Sequence, residues 1–248
     1  MGLAAALAAG RTGARVIVAE QDSEFGGQLL GGDETIDGMA GADWVSAVVA
    51  ELRSLPEVTL LPRTTVFGYY RHNFLAALER VADHLGAAAA AEAPRQRLWK
   101  IRAGQVVLAT GAIERPLVFV GNDRPGVMLA GAARTYLNRY GVTVGRRPVV
   151  VTSHDSAYQA AFDLAAAGVG GAAIIGVRAD VPGPLRERAD ALGIEVLAGH
   201  TVTQAQGRLR VSGVTVAGVV ARLPRLPDSR VARHQAPPRL RPDRQSFV

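Results

Sequence analysis

The chain reads as an α/β protein built from two parallel-sheet units, and three observations carry that reading. Short apolar runs alternate with helical patterns over residues 148–197, as βαβ units require. An Ala-rich segment, residues 1–10, passes through Gly13 into the apolar run 14–20, a helix followed by a strand buried on both faces. A further apolar run, residues 105–109, ends in the small pair Thr110-Gly111.

The elements follow in order. The opening helix closes near Gly10 and Gly13. No basic stretch precedes its apolar residues, so it does not form a secretory signal, and Ala6 stands where myristoylation needs Ser or Thr. The strand 14–20 ends at Glu20, and Gly26-Gly27 mark a loop. Residues 42–55 place Trp44, Val45, Val48, Val49 and Leu52 at helical spacing and stop at Pro56. Strands are expected at 58–61 and 64–70. Residues 74–85 have the composition of a helix, although strands flank them and Arg71-His72-Asn73 precedes them as a turn. The Ala run 87–91 and Pro94 read as a surface excursion, and 98–101 and 105–109 as strands.

A second unit begins after Arg115-Pro116, with a turn at Asp123-Arg124-Pro125-Gly126. Helices are expected at 129–140, 156–167 and 184–192, strands at 148–152, 171–177 and 194–197, and a hairpin over 208–220. The resulting division is 1–115, 116–221 and a tail, 222–248. The tail holds five Pro and seven Arg without periodicity. It reads as either a disordered tail or the product of a shifted reading frame.

Charge and cysteine usage narrow the function. The net charge of +6 first suggests nucleic acid, but residues 222–248 carry +5 of it. The rest is nearly neutral, so no nucleic-acid partner is expected. With no Cys among 248 residues, disulfides, thiolate metal sites, iron–sulfur clusters and a redox dithiol are excluded within the chain. No apolar run reaches the length of a membrane span, so no membrane association is expected and a cytoplasmic setting fits. The five His are scattered, with no metal-ligand spacing. Ser153-His154-Asp155 holds triad residue types, but adjacent residues cannot adopt triad geometry. Phe67, Tyr69 and Tyr70 beside Arg71 are better explained by the core face of an alternating strand than by base stacking.

Dinucleotide binding needs a glycine turn at a helix N-terminus and, about 20 residues on, an acidic residue for the ribose hydroxyls. Here only the last glycine of such a turn is present, as Gly2, and Glu20 lies 18 positions later at a strand end. Gly26-Gly27-Gln28-Leu29 and Ala109-Thr110-Gly111-Ala112 follow in the order of the FAD/NAD(P)-binding fold. Gly26-Gly27-Gln28-Leu29 also resembles thioredoxin reductases, which the absence of Cys excludes. The second unit has Ser153-His154-Asp155-Ser156 where a nicotinamide domain places glycines, so its backbone suits a pyrophosphate poorly.

Four segments resemble the alpha subunit of heterotetrameric sarcosine oxidase more specifically. They are Phe67-Gly68-Tyr69-Tyr70-Arg71-His72-Asn73, Leu98-Trp99-Lys100-Ile101-Arg102-Ala103, Ala112-Ile113-Glu114-Arg115-Pro116 and Asn122-Asp123-Arg124-Pro125-Gly126-Val127, with Asp155-Ser156-Ala157-Tyr158 fitting the same family. The likeness runs from residue 2 to about 221. It implies an FAD/NAD(P)-binding Rossmann-like three-layer α/β fold, with a second, degenerate Rossmann-like unit and a β-meander that would make 74–80 a strand. It implies an oxidoreductase acting on CH–NH donors within a complex, turning sarcosine into glycine, with formaldehyde or methylene-tetrahydrofolate and hydrogen peroxide. NAD would lie in this domain, with FAD and FMN held through a beta subunit or at its boundary, smaller subunits alongside, and tetrahydrofolate on a C-terminal domain.

Carried over residue by residue, Gly2 ends the glycine turn, Glu20 and Gln21 meet the adenosine ribose, and Asp22 is a weaker ribose candidate. Gly27 and Gln28 line the loop beside it. Val66 meets the adenine through its backbone, and Thr110 and Gly111 close the pocket. Against the family, the chain lacks the first strand with its leading glycines, the returning C-terminal segment and the folate domain, which reads as a truncated piece. Alternatives are an inactive fragment, a free-standing NAD(P) oxidoreductase, or an alpha-type subunit of an opine, proline or cyanide-forming dehydrogenase.

Overall fold

The structure, a computed structural model, describes residues 1–90 and 92–219; the tail expected at 222–248 lies outside the described residues. The chain divides into two compact units, Met1–Ala112 and Ile113–Val248.

In the first unit, helix α1 (Gly2–Gly10) leads into strand β1 (Val16–Ala19), which pairs in parallel with β4 (Val58–Leu61). Between them lie a 3-10 turn at Gly27–Gly31, the short strands β2 (Thr35–Ile36) and β3 (Met39–Ala40), and helix α2 (Gly41–Ser54). The β2–β3 hairpin turns on Asp37-Gly38, with Asp37 at φ 53. Asp-Gly is the dipeptide that such a two-residue turn favours. Helix α2 buries Val45, Val48, Val49 and Leu52 on one stripe, and Asp43 and Arg53 sit at the ends where the helix dipole favours their charges. Pro56 forces the preceding Leu55 out of the helical region, to φ -84 and ψ 119. Ala6 of α1 packs with Val48 and Leu52, and Val16, Val18, Val58 and Leu60 close the cluster from the sheet.

An antiparallel meander completes this unit: β5 (Thr64–Tyr70), β6 (Phe74–Arg80) and β7 (Gln96–Arg102), with β6 central. Residues 74–80 are therefore a strand, as the family resemblance implied and their composition did not. Leu75, Ala76 and Ala77 are buried on alternate faces between two strand neighbours, and that pairing overrides the helix preference of Ala, Leu and Glu.

Two further expectations fail here. Phe67, Tyr69 and Tyr70 do not face a core: they are 58%, 53% and 55% exposed. A β-bulge between Val66 and Gly68 breaks the alternation of β5, which is an edge strand of the meander. The Tyr70 ring instead folds over Gly68 and against Phe74. Residues 105–109 form no strand ladder among the described residues, and Val107 and Leu108 are 71% and 70% exposed. An apolar run specifies a strand only where a neighbour supplies the ladder, and no strand of the described residues lies beside it.

In the second unit, α3 (Ala130–Tyr140) precedes a parallel sheet of β8 (Val149–Thr152), β9 (Ala173–Gly176) and β10 (Glu195–Ala198), in the order β10-β9-β8. Crossovers run through α4 (Tyr158–Ala166) and α5 (Gly183–Ala191). One sheet face, with Val150, Ile174 and Val196, packs on Tyr158, Phe162 and Ala189 of the helices. The other, with Val149 and Ile175, packs on Val202, Val214 and Val216 of the hairpin β11 (His200–Gln206) and β12 (Gly213–Gly218). Burial on both faces explains why these strands read as unbroken apolar runs. The hairpin was expected over 208–220, yet its first strand starts at His200. That strand is polar, buries only Val202 and Ala205, and has a register shift between Val202 and Gln204, so it shows no period of two.

Candidate functional site

In open parallel sheets, ligands bind beyond the carboxyl ends of the strands. At that end of β1, Glu20 leaves the strand with its N–H on Leu61 O at 3.0 Å. The next three carbonyls are each held. Thr64 N–H donates to Glu20 O at 2.7 Å, Arg63 N–H to Asp22 O at 2.8 Å, and the Arg80 guanidinium to Gln21 O at 3.1 Å. The Glu20 carboxylate accepts the Asp22 N–H at 3.1 Å, which aims it along the bend. Its Oε2 has no hydrogen-bond partner among the described residues.

Helix α1 supplies the second component. Its first internal bond runs from Ala5 N–H to Met1 O, and no side chain caps it. The N–H groups of Gly2, Leu3 and Ala4 are thus without helical acceptors and no acidic side chain lies in the first turn, which leaves the positive end of the helix dipole unneutralised. Gly2 stands against Ala109: a Cβ on Gly2 would lie 3.1 Å from the Ala109 Cβ. Glycine thus lets the helix start approach closely the segment carrying Thr110 and Gly111, both of which are exposed; a Cβ would make Ala109 give way by a few tenths of an ångström.

The Gly26-Gly27 loop is the third component. Gly27 and Gln28 open the 3-10 turn, and both are exposed. The glycine that packing requires is Gly26, which was not among the expected site residues. A Cβ there would lie 2.9 Å from both Leu30 and Val45. Val66 lies in β5 beside the bulge, on the edge strand whose outer backbone groups face no other strand among the described residues. The structure therefore brings Gly2 to the 109–111 segment and places Glu20, Gln21 and Asp22 on one clamped bend. It gives no contact that joins Val66, Gly27 or Gln28 to them. Thr64, Arg63 and Arg80, which hold the bend, were missed; backbone donors and a side chain 59 positions away leave no local sequence signal.

The equivalent end of the second unit is closed by its own groups. Thr152 Oγ1 accepts the His154 N–H at 2.9 Å and donates to His154 O at 2.8 Å. Asp155 is paired with Arg178, which holds the guanidinium pKa up through the hydrogen bond and the carboxylate charge. Asp155 thus serves Arg178 and not His154, as expected for residues that are adjacent by chance. Tyr158 is buried beneath this turn, and burial pushes its phenol pKa up. Among the described residues no cluster of three His, Cys, Asp or Glu could hold a metal, and no helix is long and apolar enough to cross a membrane.

No family model matches the chain. It is 55% identical over 177 residues to the alpha subunit of sarcosine oxidase from Rhizobium meliloti (strain 1021), covering 71% of this chain and 18% of that one. It is 49% identical over 219 residues to the corresponding alpha subunit from Corynebacterium sp. (strain P-1), covering 87% and 22%. An opine oxidase subunit of Agrobacterium tumefaciens (strain Ach5) is 31% identical over 173 residues, covering 68% and 33%. The chain thus spans about a fifth of the length of the sarcosine oxidase subunits it matches. Among solved structures, thioredoxin reductase of Lactococcus lactis superposes with a TM-score of 0.65 at 17% identity, over 89% of this chain and 68% of that one. The fold is the FAD/NAD(P)-binding Rossmann-like α/β fold, and the resemblance to sarcosine oxidase alpha subunits read from the motifs holds across most of the chain.

Proposed function

We propose that this chain is the NAD-binding part of the alpha subunit of a sarcosine oxidase-like flavoprotein complex that oxidises a secondary amine. The identity of 46–55% to sarcosine oxidase alpha subunits carries the reading. Sarcosine and opines are both secondary amines, so the relatives' names agree on a CH–NH bond as the site of oxidation. In the complex, smaller subunits and a beta subunit join the alpha chain, and the one-carbon unit leaves as formaldehyde or on tetrahydrofolate.

The residues at the end of β1 fit a dinucleotide. Three free helix N–H groups and an uncapped helix start suit a pyrophosphate, and Gly2 keeps Cβ atoms out of its approach. Glu20, aimed by the Asp22 N–H, offers Oε2 to the ribose diol, with Gln21 beside it. Gly27 and Gln28 line the adjoining loop, Val66 offers its edge backbone to adenine, and Thr110 and Gly111 close the far side. These residues would hold NAD in this domain, and FAD and FMN on the partner side would supply flavin redox chemistry to the complex.

Calorimetric titration of the chain with NAD tests this site. Binding in the micromolar range that Glu20→Ala weakens about tenfold or more, to an affinity calorimetry still measures, is expected. The absence of heat at millimolar NAD would overturn the reading.

A further inference from the structure

Of the three groups that hold the Glu20–Asp22 bend, two are backbone N–H groups, of Arg63 in the turn between β4 and β5 and of Thr64 at the start of β5. The third is the Arg80 side chain, reaching from the end of β6 to Gln21 O at 3.1 Å. That carbonyl and the Asp22 N–H belong to the same rigid peptide plane. Arg80 therefore grips one end of the plane while the other end donates to Glu20 Oε1 at 3.1 Å. Turning this peptide would withdraw the one donor that aims the Glu20 carboxylate.

Charge reinforces the geometry. Between Arg15 and Arg53 the sequence has no Lys or Arg, while Glu20, Asp22 and Glu24 crowd the bend. Cationic support for it must come from another element. The Arg80 guanidinium is also drawn toward Asp83, whose carboxyl is held below its usual range by hydrogen bonds from Gln96 and Arg95 and remains anionic. A cation polarising the Gln21 carbonyl makes the Asp22 N–H a stronger donor, because the two ends of a peptide group are electronically coupled.

We propose that Arg80 is a positioning residue for the ribose end of the dinucleotide site, acting on Glu20 through the Gln21–Asp22 peptide. The proposal rests on the reading that Glu20 binds the ribose of NAD. It goes beyond that reading by assigning the carboxylate's orientation to a side chain on the meander, outside the strand–helix unit that contacts the nucleotide. Arg80 touches no nucleotide; its effect reaches the ligand only by way of Glu20.

The test is a double-mutant cycle on the full chain, with NAD as the probe and calorimetry as the readout. Arg80→Met keeps the length of the side chain and removes its donors. It is expected to weaken NAD about fivefold to tenfold, the upper part of the range of an ordinary hydrogen bond, because the effect reaches the ligand only through Glu20. In the Glu20→Ala background, adding Arg80→Met should change nothing further, since the group it orients is gone. Arg80→Lys, which retains a cationic donor, should recover at least half of the loss on a logarithmic scale. Equal losses from Arg80→Met in both backgrounds, or none in the wild-type background, would overturn the proposal while leaving the ribose reading intact. Wild-type protein that binds no NAD at all would instead remove the ribose reading itself. Should Arg80→Met fail to fold, Arg80→Gln takes its place in both backgrounds: a loss that appears only while Glu20 is present supports the clamp, and an equal loss in both or none in either overturns it.

Discussion

Gly26→Ala gives the sharpest test of how the Gly26-Gly27 loop is built. Gly26 has φ 130 and ψ -26, a backbone region that L-residues rarely enter. Holding alanine there costs about 1–3 kcal/mol. The new methyl would also lie 2.9 Å from Leu30 Cγ and Cδ2 and from Val45 Cγ1. Val45 is 4% exposed and packs with Phe25 and Val49, so it has little room to retreat. Overpacking of this kind adds about 1–3 kcal/mol. Since Leu30 is half-buried and can yield, a total near 3 kcal/mol is expected, in the lower half of the summed range. Gly27→Ala is the internal control. Its φ is 56 and nothing lies within 4 Å of the added methyl, so only the left-handed backbone cost of about 1–2 kcal/mol applies. For a chain of this size each kcal/mol moves the melting temperature by about 2–4 °C. Gly26→Ala should therefore melt several degrees below Gly27→Ala, followed by the fluorescence of Trp44, which packs on the same cluster. Equal melting temperatures, or the reverse order, would refute the claim that packing fixes Gly26.

Three other outcomes follow from the cores and buried groups. Leu52→Ala removes a fully buried side chain shared by α1, α2 and the β1–β4 pair, and should cost about 2–5 kcal/mol in urea unfolding. Asp163→Ala deletes an acceptor that takes hydrogen bonds from Arg134, Asn138 and Gln159 and joins α3 to α4; a loss of about 3–5 kcal/mol is expected, with Asp163→Asn intermediate. Burial raises the Tyr158 phenol above its ordinary value of 10.0 in the folded chain, so the folded state favours the neutral form. The sign is that of an acid held neutral: no stability is gained below the ordinary value, and the folded state loses stability as pH rises from there to the folded value. An alkaline titration at 295 nm should show one tyrosine ionising late, and Tyr158→Phe should remove it.

The legible parts of the fold were those where burial is complete. The parallel strands of the second unit stand out because Val150, Ile174 and Val196 meet helices while Val149 and Ile175 meet the hairpin, so no polar residue interrupts them. Helix α2 stands out because its buried stripe is continuous. Where a strand is half exposed or bulged, the signal fades. β11 carries only two buried side chains, and the bulge in β5 turns Phe67, Tyr69 and Tyr70 toward solvent. In β6, composition pointed to helix because intrinsic preference is a local property and strand pairing is not. The candidate site was legible to the same degree. The positions of Gly2 and Glu20 follow from a spacing, whereas the donors that shape the bend come from the β4–β5 turn and from Arg80 in β6, and no spacing connects them to it.

The two units differ in what surrounds the turn that follows a parallel strand, β1 in the first and β8 in the second. After β8 the Thr152 hydroxyl is bonded both ways to His154, and Asp155, in the 3-10 turn that precedes α4, pairs with Arg178. At the start of α1 no acid lies in the first turn and no side chain caps the helix. The carboxylate on that side is Glu20, at the end of β1 and turned along its bend, where it suits a diol and not a phosphate. The turn after β8 is thus occupied by its own side-chain bonds, whereas the bend after β1 keeps Glu20 Oε2 without a partner among the described residues, and that is the difference the proposed dinucleotide site in the first unit uses.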